Sequence, residues 1–146
     1  GERRRVALCR LLLQQPDVMM VALAEFMKAR GVKTVAAIHV DELFGLEQMG
    51  ALELALREKG IQLVEKKSYP IDIKDLQPVL NDIKAKNPDA FVSLSYPPDT
   101  FLVTGQARAI GFNPKLFYAA VGAALLVGVT AVVSFRERGG KGGGDA

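Results

Sequence analysis

Apolar positions along this chain follow two rhythms in alternation. Short runs rich in β-branched or aromatic residues occur at Lys33 to Val40 (KTVAAIHV), Ile61 to Lys66 (IQLVEK), Asp89 to Ser95 (DAFVSLS) and Lys115 to Ala119 (KLFYA). They begin about 28 residues apart, the length of one strand plus one crossover helix in a βαβ unit. Between them the period changes to that of a helix. In FGLEQMGALELALREKG, Met49, Leu52 and Leu56 recur at i, i+3 and i+7, and Gly60 stands where a left-handed C-terminal cap belongs. In DLQPVLNDIKAKNP, Leu76, Val79, Leu80 and Ile83 form the stripe, Asp75 is the expected N-cap, and Pro78 falls in the first turn, where it is tolerated. An earlier helix, DVMMVALAEFMKARG, is assigned an inward stripe of Val18, Val21, Ala22 and Met27 and a stop at Gly31. The pattern predicts an α/β fold, a three-layer αβα arrangement with a mostly parallel open sheet, over residues 16–135.

Both ends break the rhythm. GERRRVALCRLLLQQP carries no capped element, and an apolar run interrupted by Arg10 does not read as a cleavable signal peptide. The last segment, 136–146, is glycine and charge, expected to be a flexible tail. Its GGKGGG lacks the Ser or Thr and the following helix of a phosphate loop. Leu116 to Phe135, about twenty uncharged residues followed by Arg136, Arg138 and Lys141, has two readings. One is a transmembrane helix. The other, favoured because Lys115 continues the spacing of the strands, is a buried strand followed by a second buried element at Leu125 to Val133.

Composition narrows the function classes. The 146 residues are 49% hydrophobic, 24% charged and 7% aromatic, ordinary values for a globular domain. The net charge of +3 belongs to the termini: between Leu11 and Phe135 stand 12 basic and 13 acidic residues. With no interleaved basic and aromatic face, a nucleic-acid partner is not expected. Cys9 is the only cysteine and His39 the only histidine, so neither an internal disulfide nor a metal-ligand spacing is available. No serine or cysteine nucleophile partners His39, which reads as a hydrogen-bonded structural residue. Asp41 and Glu42 suggest a phospho-acceptor pocket, but Ser95-Tyr96-Pro97 supplies no acceptor aspartate, so they read as a solvated helix N-terminus. No GxGxxG follows the first strand, so a dinucleotide is not expected. No enzymatic activity and no cofactor are predicted.

In an open parallel sheet, ligands bind beyond the carboxyl ends of the strands. The loops placed there are His39 to Gly45, Lys66 to Asp75, Ser95 to Asp99 and Ala119 to Ala123. Phe44, Tyr96 and the small-residue turn Ala120-Val121-Gly122 line one edge. That edge suits a small organic ligand, with an anionic group on free helix N-terminal amides and an apolar part against the rings. The alternative is that Phe44 and Tyr96 only cap the core.

At these residues the chain resembles a known family. The DxxFG turn at Asp41 to Gly45, the Asp-Leu-x-Pro start at Asp75, Asn-Pro-Asp-Ala at Asn87, and Gln106-Ala-Arg-Ala-Ile-Gly111 followed by Asn113-Pro114-Lys115 look like the second lobe of the leucine/isoleucine/valine-binding proteins. These are the type I periplasmic solute receptors of ABC importers, and the likeness runs from about Gln15 to Ala124. It implies one of two lobes that close on a branched-chain amino acid or related small organic acid, an ABC permease as partner, and a periplasmic or extracellular location. It also implies that Phe44 and Tyr96 line the cleft, with Ser95, Ala120 and Val121 beside them. Val121 stands where amino-acid-binding members place an acidic residue, which points toward an aromatic or aliphatic carboxylate. Residues 1–15 then lie near the interlobe hinge, and the absent first lobe and the sequence after Ala124 mark an expected fragment. Two alternatives stand beside this reading. One is a ligand-sensing domain of a receptor or regulator, anchored by a membrane helix at 116–135. The other is a phospho-acceptor or nucleotide-binding enzyme.

Overall fold

The computed structural model describes residues 3, 15–121 and 131–135. In chain order these form α1 (Gln15–Ala29), β1 (Thr34–Val40), α2 (Leu43–Glu58), β2 (Gln62–Tyr69), α3 (Gln77–Ala85), β3 (Ala90–Ser95), α4 (Pro97–Ala109), β4 (Leu116–Val121) and β5 (Ala131–Phe135). The sheet order is β2-β1-β3-β4-β5, with β2, β1, β3 and β4 parallel and β5 antiparallel on the edge. β1 and β3 are central and covered on both faces, which is why their sequences are near-continuous apolar runs. β2 lies at the other edge and carries Glu65, Lys66 and Lys67, charges that discourage pairing with a further strand.

Two cores sandwich the sheet. On one face Met20, Leu23, Ala24 and Met27 of α1 and Met49, Leu52 and Leu56 of α2 pack on Val35, Ala37, Val92 and Leu94. On the other, Leu80 and Ile83 of α3 and Val103 and Ala107 of α4 pack on Ala36, Ile38 and Phe91. Phe91 is the hub of this second core, its ring 5.3 Å from Phe112 and 5.0 Å from Phe117. The expected three-layer αβα fold is therefore the observed one.

The punctuation follows the sequence closely. Gly31 and Gly60 take φ of +71° and +69°, the left-handed geometry that ends α1 and α2, and Asn87 closes α3 at +48°. Asp75 stands one position before the N-cap of α3, which is Leu76, but its Oδ1 accepts the Gln77 amide at 2.9 Å and so serves the first turn. At the amino ends of the strands, Asp89 joins three of them. Its Oδ2 accepts the amides of Lys33 (2.9 Å) and Thr34 (3.3 Å), and its Oδ1 accepts Lys115 Nζ at 2.8 Å.

Three expectations need correction, and of the two readings of 116–135 the less favoured one falls. The inward stripe of α1 is Met20, Leu23, Ala24 and Met27; Val18 is exposed and Val21 half-buried. β2 continues past Lys66 to Tyr69, because an edge strand tolerates polar residues on its open side. Ala120 and Val121 belong to β4 and not to a turn. The stretch 116–135 is not one membrane helix: it opens as β4 and closes as β5, paired antiparallel from Leu116 opposite Phe135 to Ala120 opposite Ala131. Among the described residues no helix is long and apolar enough to cross a membrane. Segments 1–14, apart from Arg3, and 136–146 lie outside the described residues, as do Gly122 and most of Leu125 to Val133.

Candidate functional site

The order β2-β1-β3 means that the chain leaves β1 toward one edge of the sheet and returns on its other side to form β3. This reversal opens a crevice at the carboxyl ends of β1 and β3, the position at which doubly wound sheets take ligands. Glu42 and Phe44 enter it from the β1 side, Tyr96 from the β3 side.

The local sequence aims each of them. Gly45 is buried, and a Cβ there would stand 1.9 Å from the carbonyl oxygen of Val40, so only glycine lets α2 begin this close to the end of β1. Glu42 is the N-cap of α2 in extended geometry, yet its side chain makes no capping bond. The carboxylate instead accepts the Tyr96 hydroxyl at 2.9 Å across the crevice. Tyr96 is held by the two residues after it: Pro97 and Pro98 bias it away from helical angles, and it takes φ −78° and ψ 166° as the N-cap of α4. The Phe44 and Tyr96 rings stack with centroids 5.4 Å apart and planes inclined by 29°. Both are half-buried, so one side of the pair meets solvent. The bond to Glu42, with the desolvation and charge that accompany it, raises the Tyr96 phenol above its ordinary pKa.

Behind the rings lies a buried polar cluster. Ser95 is fully buried, with its Oγ 2.9 Å from Thr100 Oγ1 and 3.2 Å from Ser93 Oγ. The Tyr69 hydroxyl donates to Asp99 Oδ2 at 3.4 Å. Burial, and then the Asp99 charge, pushes the Tyr69 phenol far up; burial likewise raises the Asp99 carboxyl. All described buried side-chain polar atoms find partners, so the cluster is a satisfied support for the rim.

Of the residues expected to form a site, Phe44 and Tyr96 meet directly. Ser95 is adjacent but turned into the interior, so it supports the rim and does not line it. The backbones of Ala120 and Val121 pair with Leu94 and Ser95, which brings the end of β4 beside the end of β3. His39 is buried and its Nδ1–H donates to the Val40 carbonyl oxygen at 2.9 Å, the structural role expected of it. Glu42 reads in the sequence as a solvated helix N-terminus, and Tyr69, Asp99 and Thr100 carry no assignment there. The one available signal for Glu42 is that a half-buried phenol at the end of β3 needs an acceptor. A shallow concavity of about 340 Å³ lined by Glu53, Leu56, Arg57, Ile61 and Leu63 lies at the opposite, amino-terminal edge of the sheet, away from the crevice.

Fold and crevice define an α/β lobe of the doubly wound type. The chain belongs to the periplasmic binding protein family, whose model matches residues 11–132. It is 30% identical over 88 residues to Leu/Ile/Val-binding protein homolog 7 of Brucella abortus, a match covering 60% of this chain and 22% of the relative. Among solved structures it is similar to a branched-chain amino acid ABC transporter periplasmic ligand-binding protein from Burkholderia xenovorans. That match has a TM-score of 0.66 at 20% identity and covers 72% of this chain and 34% of the other. It is also similar to an ABC transporter solute-binding protein of R. palustris in complex with 4-hydroxybenzoate, with a TM-score of 0.60 at 24% identity, covering 63% and 25%. The resemblance read from the sequence is thus borne out, and the chain spans less than a quarter of the curated relative's length. The family is one of solute-binding proteins and not of enzymes.

Proposed function

We propose that this chain is one lobe of the solute-binding component of an ABC importer, holding a branched-chain amino acid or related small organic acid in the periplasm for delivery to a permease. The solute lies at the carboxyl edge of β1 and β3 with its apolar body on the Phe44–Tyr96 pair, bordered by the end of β4 at Ala120 and Val121, with Ser95 supporting the rim from the interior. The observation that carries this reading is the stacked, half-exposed aromatic pair at the switch point of the sheet. Membership of the family supports it, as do relatives named for branched-chain amino acids and solved with 4-hydroxybenzoate and benzoate. A second lobe closing over the rings would supply the remaining contacts, so this lobe alone binds weakly, with Kd on the order of 1 mM or about −4 kcal/mol.

The test is a titration of the 146-residue chain with amino acids and aromatic acids, followed by amide chemical shifts. A binding solute should shift the amides of residues 41–45 and of Ser95, Tyr96 and Asp99, and leave the amino-terminal ends of the strands unmoved. Saturable shifts confined to the concavity at Leu56 and Ile61, or none with any solute up to tens of millimolar, would refute it.

A further inference from the structure

We infer that the outer face of α2 is a self-association surface. Two copies of this chain pair there across a two-fold axis, each placing Leu46 in the concavity beside the start of the other copy's β2. The inference stands apart from the solute-binding reading, because this face uses neither Phe44 nor Tyr96.

Leu43, Leu46, Gly50, Leu54 and Arg57 recur at spacings of three and four and so share one face of α2. All five are exposed, the three leucines by 71%, 54% and 55%. A lone exposed leucine needs no explanation, but a row of them along one helix marks an interaction face. By contrast α3 exposes no large hydrophobic side chain and α4 one, Phe101. At the far end of the row lies the concavity of about 340 Å³. Leu56 and Ile61, both buried, and Leu63, half-buried, give it an apolar lining. Of its two charged lining residues, Glu53 is paired with Lys66, whereas Arg57 makes no ion pair among the described residues.

The face carries a projection and a recess that match. Leu46 and Leu56 are ten positions apart, about 15 Å along the helix axis, with Gly50 and Ala51 near the midpoint. A two-fold axis at that midpoint, perpendicular to the helix, lays the two α2 helices antiparallel. It carries Leu46 of each copy to the level of the other's concavity, so one contact fills both recesses. The helices cross at Gly50, where no atom lies within 4 Å of a Cβ position and the two backbones can approach closely. The same operation brings Arg57 of each copy to within a turn of Glu47 of the other, which is likewise without an ion pair among the described residues. Parallel pairing would set Leu46 on Leu46, Glu47 on Glu47 and Arg57 on Arg57, and would leave both recesses open. One helix face covers less than the roughly 800 Å² per partner of a standard interface, so the pairing is weak, with Kd on the order of 0.1 mM.

Sedimentation equilibrium of the full chain from about 10 μM to 2 mM tests this, with reductant present so that Cys9 cannot link copies. A monomer–dimer equilibrium is expected. Leu46→Glu and Leu63→Glu should each raise Kd at least about tenfold while the far-UV circular dichroism stays native. Gly50→Leu adds apolar surface and would strengthen indiscriminate adhesion, yet it wedges the crossing apart and should also weaken this pairing about tenfold. Phe101→Glu, which removes the most exposed of the large hydrophobic side chains, should leave Kd unchanged. A chain that stays monomeric to about 2 mM, a dimer indifferent to Leu46→Glu, tighter association in Gly50→Leu, or equal loss in Phe101→Glu would overturn the inference. So would assembly beyond the dimer, the sign of a contact that no two-fold axis closes.

Discussion

Gly45 and Gly50 occupy the same helix, α2, and replacing each with alanine should move stability in opposite directions. At position 45 a Cβ would lie 1.9 Å from the Val40 carbonyl oxygen, 3.0 Å from its carbon and 3.1 Å from Val40 Cγ1. Two of these atoms are backbone of a central strand buried on both faces, so α2 must move. Overpacking of this kind costs about 1–3 kcal/mol, against a gain in helix propensity of about 1 kcal/mol. Because the obstacle is main chain, we place the net loss at about 2 kcal/mol. At position 50, exposed, no atom lies within 4 Å of the added methyl, so only the propensity gain of about 0.5–1 kcal/mol applies. For a domain of this size about 1 kcal/mol moves Tm by roughly 2–4 °C. Thermal melts followed by far-UV circular dichroism should therefore show Gly45→Ala lower by about 4–8 °C and Gly50→Ala higher by about 1–4 °C. Equal shifts, or a Gly45→Ala protein as stable as the parent, would refute the claim that the start of α2 is fixed by contact with β1. The claim bears on the site, since that contact places Glu42 and Phe44 opposite Tyr96.

Two further predictions concern carboxylates. Burial alone would raise Asp89, but the Lys115 ammonium and the amides of Lys33 and Thr34 outweigh it and hold the carboxyl below its usual range. Its contribution is present above the unfolded value of about 3.9 and is lost as pH falls through the lower folded value. Asp89→Ala should cost about 1–3 kcal/mol at neutral pH and weaken the acid sensitivity seen in urea melts between about pH 5 and 2. Asp99 has the opposite sign: burial first, then Asp72, raises its carboxyl against the hydrogen bonds from Tyr69 and the backbone. Ionisation there opposes folding once pH passes from about 3.9 through the raised folded value. Asp99→Asn should be more stable than the parent at pH 7, with the difference shrinking toward pH 3; a loss at both pH values would show that the charge is needed.

Much of the fold was legible because its central elements obey one rule each. β1 and β3 are buried on both faces and read as unbroken apolar runs, and α2 and α3 carry a single inward stripe against polar surroundings. The failures have equally local causes. In α1 the residues from Val18 to Ala24 are all apolar, so no polar face fixes the phase and the sequence alone misplaces the inward set. The end of β2, KKSY, reads as loop because an edge strand needs little apolar surface. The stretch 116–135 has the composition of either a membrane helix or two sheet strands, and the pairing of Leu116 with Phe135 decides between them. Within the site, Phe44 and Tyr96 could be placed from strand ends and prolines. The bond from Tyr96 to Glu42 spans 54 positions in sequence, and that from Tyr69 to Asp99 spans 30, separations that periodicity does not reach.

The central claim is that the solute rests on the Phe44–Tyr96 pair at the carboxyl ends of β1 and β3. Intermolecular nuclear Overhauser effects from a bound solute to assigned ring protons of the chain test it most directly. Effects to Phe44 and Tyr96, lost in Phe44→Ala while the remaining amide spectrum stays native, are predicted. A bound solute that shows its effects to Leu56, Ile61 and Leu63, or to Phe91, Phe112 and Phe117, would contradict the account.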